Sequence, residues 1–248
     1  MKLLAIETST EACSVGLLID NQIVSDHRMS PQQHGALVLP MIDALMSEAG
    51  ITSSQLDAVA YGRGPGSFTG VRIGVALTQG IALGADVGVV GISTLHTVAQ
   101  GVHRLHGDRH IAVSLDARMA EIYFATYSVN DDTGLASPVV QECICTPATV
   151  PCIELIQPWV WCGSGAERYA GVLQPQTPGK PVELRQEAWP HAHDLLLLAQ
   201  SRYQTGEMTS ADEAAPVYLR NKVAETIAER EEAKRVRISG KHTALKRM

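Results

Sequence analysis

"LLAIETSTEACSVGLL", residues 3–18, runs an apolar strand into a single acid, a short polar turn and a second apolar strand. The same pattern returns as "IAVSLDARMAEIYFATYS", residues 111–128. Glu7 and Asp116 are the single acids, and each stands six residues before its second strand, at Cys13 and Ile122. A strand–hairpin–strand unit used twice predicts an α/β chain of two related domains. The expected extents are 1–106 and 107–221, followed by a charged, flexible tail over 222–248. An acid at a strand end followed by hydroxyl residues can hold a phosphate through backbone N–H groups and side chains. Glu7, Thr8, Ser9 and Thr10 are therefore the candidate nucleotide-binding residues. An ordinary polar hairpin reads the same way locally, so the weight comes from the echo at Asp116.

Outward from the first unit, residues 22–28 add a third strand after an Asp20–Asn21 turn, making an antiparallel meander. Leu37, Met41, Ile42, Leu45 and Met46 then recur at helical spacing between His34 and Ala49, with Gly50 placed to end the helix. Pro40 predicts a kink or a late start. A strand over 56–61, a helix over 69–84, a strand over 87–92 and a helix over 94–105 complete the first half. The second half adds a strand over 159–162, a helix over 193–203 and the closing "PVYLRN", residues 216–221.

"YGRGPGSFTGVRIG", residues 61–74, joins the fourth strand to the second helix. A Walker A loop needs a lysine to reach the phosphates, and no lysine occurs between Gln22 and His110. The dinucleotide spacing also fails, because Thr69 or Ser67 falls where the third glycine belongs. What remains is a helix with two rows of small residues: Gly70, Gly74 and Thr78, and Ala76, Gly80 and Gly84. Each interior glycine costs ~1 kcal/mol of helix propensity relative to alanine. Small rows along i±4 ridges let another element come close. That element is either this chain's own sheet or a helix of another chain.

The chain has 248 residues, 45% of them apolar and 4% aromatic, and its net charge is −6. Residues 222–248 carry Lys222, Arg230, Lys234, Arg235, Arg237, Lys241, Lys246 and Arg247 against Glu225, Glu229, Glu231 and Glu232. That segment is +4, so the part up to residue 221 is −10. An acidic body argues against a module that holds RNA or DNA alone. Cys13, Cys143, Cys145, Cys152 and Cys162 are odd in number and include no C-x-x-C pair, against a disulfide framework or zinc knuckle. His103, His106 and His110 surround Gly107 in what reads as a loop rather than a metal site. His191 and His193 are equally uninformative. No G-x-S-x-G elbow occurs, and no nucleophile has a base partner. The start "MKLLAIETST" is too soon polar for a signal peptide, and residues 70–92 hold Arg72, Gln79 and Asp86, against a membrane span. A cytoplasmic protein is expected.

Five segments together carry a family likeness: "LLAIETSTEACSVGLL", "AYGRGPGSFTGVRIGVALTQGIALG", "GISTLHTVAQG", "LDARMAEIYFATY" and "PVYLRN". They resemble the TsaB (YeaZ) family, from residue 1 to about 221. The resemblance implies a two-domain actin-like ATPase (ASKHA) fold. It implies a partner of TsaD, which transfers threonylcarbamoyl from its adenylate to A37 of tRNAs reading ANN codons (t6A), with the ATPase TsaE completing the set. TsaD carries a metal-binding His-x-x-x-His whose positions fall here on Thr94 and Val98, and a later aspartate falling near Pro190–His191. The implied role is a non-catalytic subunit with no tightly bound cofactor and no metal. ATP or ADP could sit at the junction with TsaD, and tRNA is met only through the complex. The family pairs the first two helices with the same pair of TsaD or of a second copy. The resemblance thus makes His34, Leu37, Met41, Leu45, Arg63, Phe68, Gly70, Arg72, Gly74 and Thr78 the expected interface. The alternative is a stand-alone ASKHA phosphotransferase or an M22-type metallopeptidase.

Overall fold

The computed structural model describes residues 1–151, 159–173 and 183–220. The charged segment 222–248, Asn221 and Cys152 lie outside the described residues.

Residues 3–18 and 111–128 each fold as an antiparallel strand pair at the centre of a sheet. In the first, β1 (Lys2–Glu7), β2 (Ala12–Ile19), β3 (Gln22–Met29), β4 (Ala58–Gly62) and β5 (Gly88–Ile92) lie in the order β3-β2-β1-β4-β5. In the second, β6 (His110–Arg118), β7 (Glu121–Val129), β8 (Ala136–Cys145), β9 (Val160–Cys162) and β10 (Glu183–Arg185) lie in the order β8-β7-β6-β9-β10. Both begin as an antiparallel meander and continue as parallel strands, β4 beside β1 and β9 beside β6. β8 and β10 are strands the sequence reading did not contain. β8 carries Pro138 and polar residues along an edge, where a missing N–H is tolerated.

Because side chains alternate along a strand, β1 serves two cores. Leu4 and Ile6 pack with Val38, Met41 and Ile42 of helix α1 (His34–Ala49) and with Val71, Val75 and Ala82 of helix α2 (Phe68–Ala85). Leu3 and Ala5 face the other way, onto Leu195, Leu196 and Ala199 of the helix Ala192–Gln204. On the second sheet, Ile111, Val113 and Leu115 meet Leu95, Val98 and Val102 of helix α3 (Thr94–His106). Ala112, Ile122 and Phe124 meet Trp161, Ala166 and Leu173 beside the short helices α4 (Ser164–Arg168) and α5 (Ala170–Leu173). With Ala192–Gln204 as α6, the layers run α1 and α2, first sheet, α6 and α3, second sheet, α4 and α5.

A division at residue 107 does not follow this packing. Helix α3 precedes that point but packs on the second sheet, whereas α6, Ala211 and Ala214 follow it and pack on the first. Ser14 of β2 accepts from Ala192 N at 3.0 Å and so caps α6 from the first sheet. Between α6 and α3, Asp194 is fully buried and takes both arms of Arg104, at 2.7 and 2.9 Å. Helix α1 starts at His34, so Pro40 does not delay it, and Gly50 ends it in the left-handed conformation (φ 66°). By length and composition alone α2 could cross a membrane, with a mean hydropathy of 1.2. Its inner stripe is instead buried on the first sheet, and Gln79 donates to Ala214 O at 2.9 Å.

Candidate functional site: an open helix face and the cleft beside it

The glycine loop reaches α2 through Gly64 (φ 88°), and Ser67 caps the helix. Its small residues are spent on the β1–β2 turn. A Cβ at Gly66 would lie 2.2 Å from Ser9 O, at Gly70 2.1 Å from Thr8 O, and at Gly74 2.7 Å from Thr8 Oγ1. Thr8 Oγ1 donates to Gly70 O at 2.8 Å, and Ser67 N donates to Ser9 O at 2.6 Å. Gly70 and Gly74 of the row expected as a groove for another chain thus form an internal socket for Thr8, and Thr78 of the same row is buried. The second row is the open one. Ala76, Gly80 and Gly84 are exposed, nothing lies within 4 Å of a Cβ at Gly80 or Gly84, and Leu83 beside them is 63% exposed. Leu39 on neighbouring α1 is 50% exposed.

Other expected interface residues also turn inward. His34 is buried with Nε2 3.1 Å from Ala12 O, and Met41 sits in the core. Leu37 and Leu45 are half-buried against that core. Arg63 pairs with Glu142 of β8, which also accepts from Ser93 Oγ at 2.7 Å, so it ties the loop to the second sheet. Phe68 and Arg72 do face outward: the Arg72 guanidinium stacks 3.6 Å from the Phe68 ring and its Nε donates to Tyr218 OH at 2.8 Å. On α2, Gly70, Gly74 and Thr78 are buried with Val71, Val75 and Ala82, whereas Ala76, Gly80 and Gly84 lie on the exposed side.

Beside this face, the β1–β2 turn and the β6–β7 turn confront each other across a cleft of about 590 Å³. Ser9, Thr10 and Glu11 line one side, Asp116 and Arg118 the other, with Ser67, Arg168 and residues 217–220 closing it. The two echoed acids do different work. Asp116 is held by Arg118 and Arg168, at 3.3 and 2.9 Å, and accepts from Arg118 N. Glu7 is fully buried away from the cleft. Its Oε1 accepts from Ser9 N at 2.7 Å and from Ser9 Oγ, while Oε2 has no partner among the described residues and is pressed against Gly62. Burial raises its pKa above the usual carboxylate value, against the opposing hydrogen bonds from Ser9 and Thr94. Thr8, Ser9 and Thr10 are buried as well, and of the four candidate nucleotide residues only Ser9 and Thr10 line the cleft.

At the metal positions of the resembled transferase, Thr94 Oγ1 lies 2.7 Å from Ser9 Oγ, and Val98 is packed in the second core. His96 stacks on Tyr127 with Nε2 2.6 Å from Ala136 O, and burial pushes its pKa down to about 4. His191 stacks on His27 at 3.6 Å and is pushed down to about 4, chiefly by burial. Among the described residues no three His, Cys, Asp or Glu side chains gather as metal ligands. Thr94 and Val98 offer a hydroxyl and an isopropyl group at these positions, neither an imidazole.

Two mixed sheets with paired hairpin turns across a cleft define a chain of the actin-like ATPase plan. Residues 22–228 match the family described as "TsaD: tRNA N6-adenosine threonylcarbamoyltransferase". The "tRNA threonylcarbamoyladenosine biosynthesis protein TsaB" of Escherichia coli (strain K12) is 38% identical over 226 residues, covering 90% of this chain and 96% of that protein. The protein of the same name from Haemophilus influenzae is 37% identical over 231 residues, covering 90% and 95%. The solved structure "YeaZ from Pseudomonas aeruginosa" superposes with a TM-score of 0.82 at 38% identity, covering 88% of this chain and 99% of that one. The chain belongs to the TsaB family.

Proposed function

We propose that this chain is the non-catalytic TsaB subunit of t6A synthesis. It binds TsaD and, with TsaE, supports transfer of threonylcarbamoyl to A37 of tRNAs reading ANN codons, in the cytoplasm. The observation that carries this reading is the outer face of α2: Ala76, Gly80 and Gly84 form an open small-residue row beside exposed Leu83 and Leu39. Small rows accept an apolar ridge of a partner helix at close range, and that is a four-helix contact if the partner offers a helix pair. In the absence of TsaD the same face serves a homodimer. Thr94 and Val98 support the non-catalytic role, since neither can hold the transferase metal. Ser9, Thr10, Ser67 and the arginines of the cleft are the groups available to ATP or ADP at the junction.

The test is t6A formation by TsaD and TsaE with and without this chain. Modification that needs the chain supports the reading. Equal modification without it, or turnover of ATP or a peptide by the isolated chain, refutes it.

A further inference from the structure

The β6–β7 turn is built from residues that its shape does not suit. Arg118 pairs with Glu121 across the hairpin, which leaves Met119 and Ala120 as a two-residue loop. Both have positive φ, 56° and 59°, and Arg118 before them has φ 64°. Two-residue hairpins with positive φ at both central positions strongly prefer Asn-Gly or Asp-Gly. In that region the Cβ of methionine or alanine crowds the following carbonyl, and neither side chain can bond the backbone locally as asparagine does. A strained run of this kind persists where surrounding contacts over-determine it.

Residues 214–220 supply such contacts. Their first part is fixed on the side of the first sheet. Gln79 donates to Ala214 O at 2.9 Å, Ala215 N donates to Tyr61 OH at 3.2 Å, and Val217 N donates to Arg63 O at 2.8 Å. Tyr218 OH accepts from Arg72 of α2 at 2.8 Å. Arg220 then reaches across to the second sheet and grips the turn at both ends. Its Nη2 donates to Ala117 O at 2.9 Å, and its Nη1 pairs with Glu121 at 2.6 Å. A planar guanidinium suits this task, because its fork engages two acceptors at once where lysine offers a point charge. Asp116 holds the turn from its other side, accepting from Arg118 N at 3.0 Å and pairing with Arg168. Ala117, Arg118 and residues 217–220 all line the cleft, so the strap and the turn it grips form one wall.

We infer that residues 214–220 are a latch across the cleft. Arg220, anchored through the strap to the first sheet, keeps the β6–β7 turn in its strained form and fixes that wall. When Arg220 lets go, the turn relaxes and the wall is released. The latch belongs to this chain alone and does not depend on which partner α2 meets.

Hydrogen exchange of the full chain, read by mass spectrometry over residues 116–121, follows the turn directly. Arg220→Gln should speed exchange there at least about tenfold, with α3 and α6 unchanged. The deciding comparison places Arg220→Gln in a chain that also carries Met119→Asn and Ala120→Gly, whose turn suits its own φ values. The latch predicts that this turn stays protected without Arg220. Equal loss of protection in both turns overturns the inference, since Arg220 would then be an ordinary structural contact. Unchanged exchange in the original turn overturns it too. If Arg220→Gln folds only with the replaced turn, the latch is upheld; if it folds with neither, the arginine serves the fold at large and the latch is refuted.

Discussion

Glu7 is one residue where chemistry and stability pull apart. Burial raises the pKa of this carboxyl, so it stabilises the fold at low pH. Its folded pKa lies above the unfolded one, so its contribution is fully present below the ordinary value of 4.5 and is lost as pH rises towards the raised one. Glu7→Gln keeps the shape and cannot ionise. Urea titrations from pH 5 to pH 8 should show the unaltered chain losing stability relative to the glutamine variant as pH rises; a constant difference would refute the raised pKa. The histidines run the other way. His191 and His96 are depressed to about 4, so the unfolded chain takes up protons first and their contribution, present above about 6.5, is lost as pH falls towards 4. His191→Asn should flatten that acid limb in the same titrations. Neither behaviour was legible in the sequence: Glu7 was read as a ligand-facing acid because a strand end and a hydroxyl turn look alike whether they open onto a cleft or close under a helix.

At the scale of the element, α2 has two faces with opposite tolerances. Gly74→Leu drives a side chain into Thr8 and should lower unfolding free energy by at least about 2 kcal/mol, measured by denaturant titration. Gly80→Arg points into open space and gains helix propensity, so its melting temperature should hold or rise. The same variant should lose TsaD in a pull-down and t6A in the coupled assay. Retained TsaD binding by a folded Gly80→Arg chain would remove the outer face as the docking surface. The helix itself, its start near the loop and both small rows were readable from periodicity. Which row faces inward was not, because each row alone satisfies the spacing rule. The buried stripe Val71, Val75 and Ala82 settles it only once the side of the sheet is known. β8 escaped for a related reason: Pro138 and the polar positions of an edge strand suppress the apolar alternation on which strand reading depends.

For the whole molecule, the two sheets are joined through helices that each crosses over to serve the other half. The Arg104–Asp194 pair fastens α3 to α6, and Gly101 leaves room for it, since a Cβ there would lie 2.9 Å from Asp194 Oδ2. Arg104→Ala strands a buried carboxylate and should cost about 3 kcal/mol in a denaturant titration. Arg104→Ala with Asp194→Asn together should recover part of that loss; no recovery would mean that the pair is not coupled. The hairpin units in each half were legible because strand, acid and turn recur within a short window. The crossing of α3 and α6 was not, since no local pattern records which sheet a helix will cover.

That crossing has a consequence for how the protein is made. During synthesis the first sheet emerges early, yet the face formed by Leu3, Ala5, Leu18, Ala60, Val90 and Ile92 waits for Leu195, Leu196 and Ala199. Until residue 204 leaves the ribosome, the nascent chain carries a bare apolar sheet face, the kind of surface that chaperones hold and that aggregates when they do not. The first 106 residues hold nearly all of the core under α1 and α2, but the opposite face of their sheet and helix α3 still wait for partners made later.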